Sequence, residues 1–158
     1  MTTITTAHAS STASPAAFFA RWADMATWPE WNADTDWVRL DGPFVEGATG
    51  VLKPSGGPKV RFVVQRLVPD EEFVDVSLLP GARLTFAHHV AARPGGGCEV
   101  DVTISIAGPL CWVWSRVLGG GFRATAQADL DRLVAVAEAA GPVSVPAPVP
   151  SSDGRADR

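Results

Sequence analysis

Positive charge, cysteine and long apolar runs are all scarce in this chain. Its 158 residues carry 13 Lys and Arg against 17 Asp and Glu, giving a formal net charge of −4 and an isoelectric point near 5.3. A nucleic-acid partner would call for a basic stripe, which is missing. No apolar stretch approaches the ~18–20 residues of a membrane-spanning helix. The first residues lack a basic segment followed by an apolar one, so no secretory signal is expected. Only two cysteines occur, Cys98 and Cys111, and their placement matches no metal-ligand spacing. Two buried free thiols in a reducing cytoplasm are expected. No Cys, His and Asp cluster has the spacing of a metal site, and no cofactor is expected. The excess of Arg over Lys and the abundance of Ala, Gly and Pro reflect genome composition, not mechanism.

What is present suits one soluble globular domain. Hydrophobic residues make up 46% and charged residues 19% of the chain, enough for a single sizeable core. The domain is expected over residues 1–141. Residues 142–158 have no periodicity and read as a disordered Pro- and Ser-rich tail.

The periodicity switches twice. A short Thr-rich strand is predicted over residues 3–9. Ser14 and Pro15 then start a helix that runs to about Asp24, with Ser14 as cap and Pro15 at the first position. Phe18, Phe19 and Trp22 give it one apolar face. Asp24-Met-Ala-Thr-Trp-Pro-Glu-Trp-Asn32 follows as an aromatic elbow, where Pro29 stops a helix. From residue 35 to 107 the period is two. Turn signals at Asp41-Gly42-Pro43, Pro54–Pro58, Pro69–Glu72, Pro80-Gly81 and Arg93–Gly97 divide this region into six strands. In the last, Val100, Val102, Ile104 and Ile106 alternate with polar residues, as in an antiparallel sheet packed on one face. Residues 109–140 return to helix, with Pro109 in the first turn and an apolar stripe through Leu118, Phe122, Leu130, Leu133, Val134 and Ala137. Gly119-Gly120-Gly121 interrupts the stripe, either kinking the helix or letting it pass close to another backbone.

Seven strands with one apolar face need a cover, and the last helix is the only element large enough. At this point the chain resembles the START-like, or SRPBCC, helix-grip superfamily, which includes polyketide cyclases/dehydrases and lipid-transfer domains. The resemblance rests on Ala13-Ser14-Pro15, on Trp28-Pro29-Glu30-Trp31-Asn32, on Leu79-Pro80-Gly81-Ala82-Arg83-Leu84 and on Gly108-Pro109-Leu110. It covers about residues 3–140. It implies an α+β helix-grip fold: a curved seven-stranded antiparallel sheet wrapped round a long C-terminal helix, with two short helices after the first strand. It also implies an internal pocket for a hydrophobic small molecule. A minority of the superfamily catalyses cyclisation or dehydration, with no shared catalytic motif to carry over.

Counting across the Pro80-Gly81 hairpin sets Phe73 opposite His88, Asp75 opposite Phe86 and Ser77 opposite Leu84. Leu84 and Phe86 place that face inward. Asp75 and His88 are then diagonal neighbours on an apolar wall, with Ser77 one step further. One reading is a general acid–base couple in which the carboxylate orients the imidazole and raises its pKa. The other is a satisfied buried polar pair, or a His ring packed on Phe73. Phe62, Phe73, Phe86, Val100, Val102 and Ile104 share the inner face, with Trp114, Leu118 and Phe122 on the helix above. Of these, Phe62, Phe73, Phe86, Val102, Trp114, Leu118 and Phe122, with Ser77, are the candidate ligand-binding set. Trp112 and Trp114 cannot both face inward. His89 belongs to the solvent face. A binding protein and a cyclase-like enzyme are thus the two functional expectations. A protein-interaction module would need a large exposed apolar patch.

Overall fold

A computed structural model describes residues 1–140; the tail expected over 142–158 lies outside them. The chain runs β1 (Thr2–Ser11), α1 (Pro15–Ala23), a 3-10 turn (Met25–Glu30), β2 (Thr35–Leu40), β3 (Thr49–Pro54), β4 (Val60–Val68), β5 (Glu72–Leu79), β6 (Ala82–Ala92), β7 (Cys98–Ala107) and α2 (Cys111–Ala139). The strands form one seven-stranded antiparallel sheet in the order β1-β7-β6-β5-β4-β3-β2. This is the α+β helix-grip architecture expected from the sequence.

Local chemistry explains most boundaries. The Ser14 hydroxyl accepts from the Ala17 N–H at 3.2 Å and caps α1, with Pro15 following. Pro80-Gly81 makes the tight β5–β6 turn, with Gly81 at φ 67°. Three details differ from expectation. The elbow continues through Pro29 as a 3-10 turn. Helix α2 starts at Cys111 and not at Pro109, because the Leu110 N–H donates to the Gly81 carbonyl at 2.9 Å and holds Pro109 and Leu110 in a turn. A Cβ at Gly108, where φ is 114°, would lie 2.8 Å from that same carbonyl, so only glycine fits. Third, α2 runs unbroken through Gly119-Gly120-Gly121. Gly119 is buried beside the Arg123 guanidinium, whereas Gly120 and Gly121 face open space.

The sheet has two ends. At the near end lie the start of β2, the β3–β4 and β5–β6 turns and the beginning of α2. At the far end lie the 41–48, 69–71 and 93–97 loops, the start of α1 and the finish of α2. Between them α2 follows β1. The Arg123 side chain donates to the Ile4 carbonyl at 3.3 Å. Gln127 grips the His8 backbone on both sides, donating to its carbonyl at 2.9 Å and accepting from its N–H at 3.3 Å. Glu138 accepts from the Ser11 hydroxyl at 2.8 Å.

The core divides into two clusters. One lies under α1 and the elbow and is built on Phe18, Trp22, Trp28, Phe62, Phe73 and Val100. The other lies under the first half of α2, where Ile4, Ala82, Leu84, Ile104 and Ile106 are buried and Phe86, Val102, Trp114, Leu118 and Phe122 are only partly so.

Candidate functional site

The Pro80-Gly81 turn sets the β5–β6 register, and every inner-face pair follows: Phe73 opposite His88, Asp75 opposite Phe86, Ser77 opposite Leu84. Asp75, Ser77 and His88 are all buried, at 4%, 5% and 7% exposure. The inner face continues across β7, with His88 opposite Val102 and Phe86 opposite Ile104. Asp75 therefore stands at the boundary of the two clusters, with His88 on the side of the first and Phe86 on the side of the second.

His88 is held by aromatic rings. Its imidazole stacks on Phe73 with centroids 5.0 Å apart and planes 15° from parallel, and Trp22 lies 5.4 Å away. Nδ1 is 3.1 Å from the Phe73 carbonyl oxygen. A carbonyl only accepts, so Nδ1 carries the proton and Nε2 is left with its lone pair. Burial pushes the pKa of His88 down from 6.5 to about 4, against a smaller upward pull from the Phe73 carbonyl. The imidazole is thus oriented by the Phe73 backbone, and its basicity is lowered by burial where a carboxylate partner would have raised it.

Asp75 meets the opposite fate. Burial raises its carboxyl from 3.8 to about 8, and the only opposing contribution is its own backbone N–H. With no cation to favour the charged form, the neutral acid is the stable one. At neutral pH the wall therefore presents a protonated carboxyl and a neutral imidazole. Two indole N–H groups nearby, Trp22 Nε1 and Trp31 Nε1, are buried without partners among the described residues. A buried donor in that state costs about 1–3 kcal/mol.

Apart from Ser77, buried on the inner face of β5, the candidate ligand-binding residues separate into two groups. Phe62 and Phe73 are sealed in the first cluster, at 2% and 0% exposure. Phe86, Val102, Trp114, Leu118 and Phe122 gather in the second and stay half-buried. Phe86 meets Phe122 edge-on at 5.6 Å, bridging sheet and helix. The Trp114 indole donates to the Pro80 carbonyl at 2.9 Å and ties α2 to the hairpin. Trp112 points to solvent at 65% exposure. Two open depressions mark the surface, about 320 Å³ at the near end beside Leu79 and Pro109 and about 630 Å³ at the far end beside Ser14 and His89. Neither is lined by Asp75 or His88. Cys98 is buried and Cys111 half-buried, and both are free thiols. Among the described residues no group of three His, Cys, Asp or Glu side chains is placed to hold a metal. No helix among them is long and apolar enough to cross a membrane.

Sequence reasoning missed two walls of the His88 site. Trp22 was legible only as part of the α1 apolar face. Phe44, whose ring lies 5.2 Å from Phe73, sits in a Gly- and Pro-bearing loop with no period to mark it.

Solved structures share this fold. The di-domain ARO/CYC protein StfQ from the steffimycin biosynthetic pathway superposes with a TM-score of 0.70 at 11% identity, over 88% of this chain and 52% of that one. The Mesorhizobium loti protein MLL2253 gives a TM-score of 0.68 at 13% identity, over 85% and 96% of the two chains. Norcoclaurine synthase from Thalictrum flavum, in complex with dopamine and hydroxybenzaldehyde, gives 0.64 at 9% identity, over 85% and 86%. These likenesses are likenesses of fold. No curated protein matches the chain in sequence. The family described as polyketide cyclase / dehydrase and lipid transport does match, over residues 1–138, and the chain belongs to it.

Proposed function

We propose that the chain binds a hydrophobic, partly aromatic small molecule between the first half of α2 and the inner face of β5, β6 and β7. One observation carries the proposal. Phe86, Val102, Trp114, Leu118 and Phe122 face one another across the sheet–helix interface yet remain half-buried. Val100 and Ile106, on the same face of the same strand, are at 0% exposure. Apolar side chains left wet inside a fold gain by taking up an apolar guest, at roughly 25 cal/mol per Å² buried. The family description and the aromatic compounds held by norcoclaurine synthase on the same fold agree with this class of guest.

Titrating the full-length protein with N-phenyl-1-naphthylamine, a neutral apolar fluorophore, tests the proposal. Saturable binding is expected in the wild type, with a loss of about tenfold or more in Leu118→Trp, which fills the space without adding charge. Equal binding by both proteins, each with an intact melting transition, would sink the reading. Native mass spectrometry of the purified chain would identify a co-purified guest directly.

A second reading gives the same space a cyclase- or dehydratase-like reaction. It is favoured by the protonation states of Asp75 and His88. A general acid must hold a proton and a general base must lack one. With Asp75 near 8 and His88 near 4, both conditions hold between those pH values. Asp75 would donate to a developing enolate or leaving hydroxyl, and His88 Nε2 would accept from an activated C–H. With a poly-β-ketone substrate, turnover should plateau between about pH 4 and 8 and fall on both flanks. His88→Phe should abolish it while fluorophore binding persists. An unchanged product profile in His88→Phe leaves a carrier without catalysis.

A further inference from the structure

We infer that the near end of the molecule docks on an anionic lipid bilayer. The inference goes beyond the small-molecule proposal and does not depend on it.

Charge divides along the sheet. At the far end Glu46, Glu71, Glu72, Glu99, Asp101 and Glu138 cluster. Three far-end arginines are already paired with an acid, Arg39 with Asp41, Arg66 with Glu72 and Arg93 with Glu99, while among the described residues Arg21 on α1 is not. The near end carries Lys59, Arg61, Arg83 and Arg116, and among the described residues none of these four forms an ion pair. The acids beside the start of β2 are Asp34, Asp36 and Asp129; Asp36 is held by Lys53 at 3.4 Å and the Ser55 hydroxyl at 2.6 Å, and Asp129 pairs with Arg132 at 2.8 Å. No Asp or Glu occurs between residues 76 and 98 or between 102 and 128. A chain with net charge −4 thus presents one locally cationic end.

Exposed apolar side chains collect at the same end. Leu78 (44%), Leu110 (42%), Trp112 (65%) and Val117 (64%) all lie on the β5–β6 hairpin or the first turns of α2 and its lead-in; Val45 stands apart at the far end. The two chemistries interleave. The β4–β5–β6 register puts Leu78 directly between Arg61 and Arg83 on the outer face. On α2, Arg116 follows Trp112 by one turn, so both project from one side of the helix. The Leu110 side chain lies over Gly81, within 2.7 Å of where a Cβ would sit, so the hairpin and the helix start form one continuous surface.

A bilayer interface wants this combination. An amphipathic Trp and small aliphatic side chains enter the headgroup region, while arginines meet anionic headgroups. An acidic protein would satisfy the arginines but gives no reason for four water-exposed apolar side chains among them. A bilayer satisfies both. The docked end is also where α2 begins, over the half-buried cluster, so an apolar guest would have a short path from lipid to interior.

Vesicle flotation of the full-length protein tests this. Vesicles of phosphatidylcholine with about one-third phosphatidylserine should carry the protein at low salt, and pure phosphatidylcholine vesicles should not. Binding should fall at about 1 M salt, where the Debye length is ~3 Å. Arg61→Glu with Arg83→Glu should weaken it by about tenfold or more. Leu110→Ser with Trp112→Ser should weaken it as well, and should do so at low salt. Glu71→Gln at the far end should change nothing. Circular dichroism checks that each variant is folded. Failure to float on anionic vesicles overturns the inference, as does undiminished flotation in either double variant. Capture by poly-glutamate without vesicle binding would overturn it in favour of an acidic protein partner. Fluorophore binding is read separately, so vesicle failure with fluorophore binding intact discards only the docking surface.

Discussion

Trp22 and Phe122 are both large aromatic residues on helices that face the same sheet, yet one is sealed at 0% exposure and the other is half-buried. Around Trp22 the space is filled from three sides by Phe73, His88 and Phe19. Around Phe122 the chief ring neighbour is Phe86, and the helix it stands on has just passed three glycines that contribute no side chains. One half of the interior is closed by short elements folded tightly over the sheet and by the second half of α2, whose Leu130, Leu133 and Ala137 are buried there. The other is spanned by a single helix anchored at the β1 edge and at the hairpin. Stability is concentrated in the first half and room in the second.

The largest test of that contrast is a pair of truncations. Trp22→Ala should cost about 3–5 kcal/mol, the usual range for emptying a sealed aromatic site. Phe122→Ala should cost about 1–2 kcal/mol, because much of its surface is already wet. Urea denaturation of both gives the comparison, and equal losses would erase it.

The packed half and the sheet were the more legible parts in the sequence, for physical reasons. A two-residue turn at Pro80-Gly81 leaves no freedom in register, so Phe73–His88 and Asp75–Phe86 could be paired by counting alone. Alternation from Val100 to Ile106 fixed which face was inner. The state of Asp75 and His88 was not legible, because it depends on whether their charges meet each other or a backbone carbonyl, and only three-dimensional contact decides that. The glycine run was not legible either: α2 shows no break there, against the expected kink, and Gly120 and Gly121 have no neighbour within 4 Å, against the expected close approach. The opposed charge of the two ends is spread over six turns and becomes visible only when the turns are sorted by end.

A smaller effect concerns the boundary residue. Folded Asp75 keeps a proton to about pH 8 that the unfolded chain loses near 3.8. The stability this represents is present below 3.8 and is lost as pH rises through 8. His88 runs the other way, with stability present above 6.5 and lost as pH falls through about 4. The two slopes oppose each other between 4 and 6.5, so the Asp75 loss stands alone above 6.5. Relative to Asp75→Asn, the wild type should lose about 2 kcal/mol between pH 6.5 and 8, at ~1.36 kcal/mol per unit. A flat difference between the two proteins would mean that Asp75 sits in the wet half and ionises freely.

The smallest change probes the helix over the open half. Gly120→Ala and Gly121→Ala should each stabilise by about 1 kcal/mol, since each new methyl meets nothing and the helical backbone already suits alanine. Thermal melts would read the gain. A loss at either position would show that α2 bends there in solution, and the contrast between a filled and a spanned interior would then need a moving helix.

Gln127 has a bearing on the fate of the chain in a crowded solution. The outer border of β1 is a row of backbone groups that another copy could extend, strand upon strand, into a polymer. By holding both the N–H and the carbonyl of His8, a single amide side chain takes the place of an eighth strand at the midpoint of that border. Arg123 holds the Ile4 carbonyl on one side, and Glu138 accepts from the Thr12 N–H just past the other. The helix that roofs the interior therefore also blocks growth of the sheet at its β1 border, so a variant that loosens α2 would be prone to self-templated assembly there even where the packing of its core is unharmed.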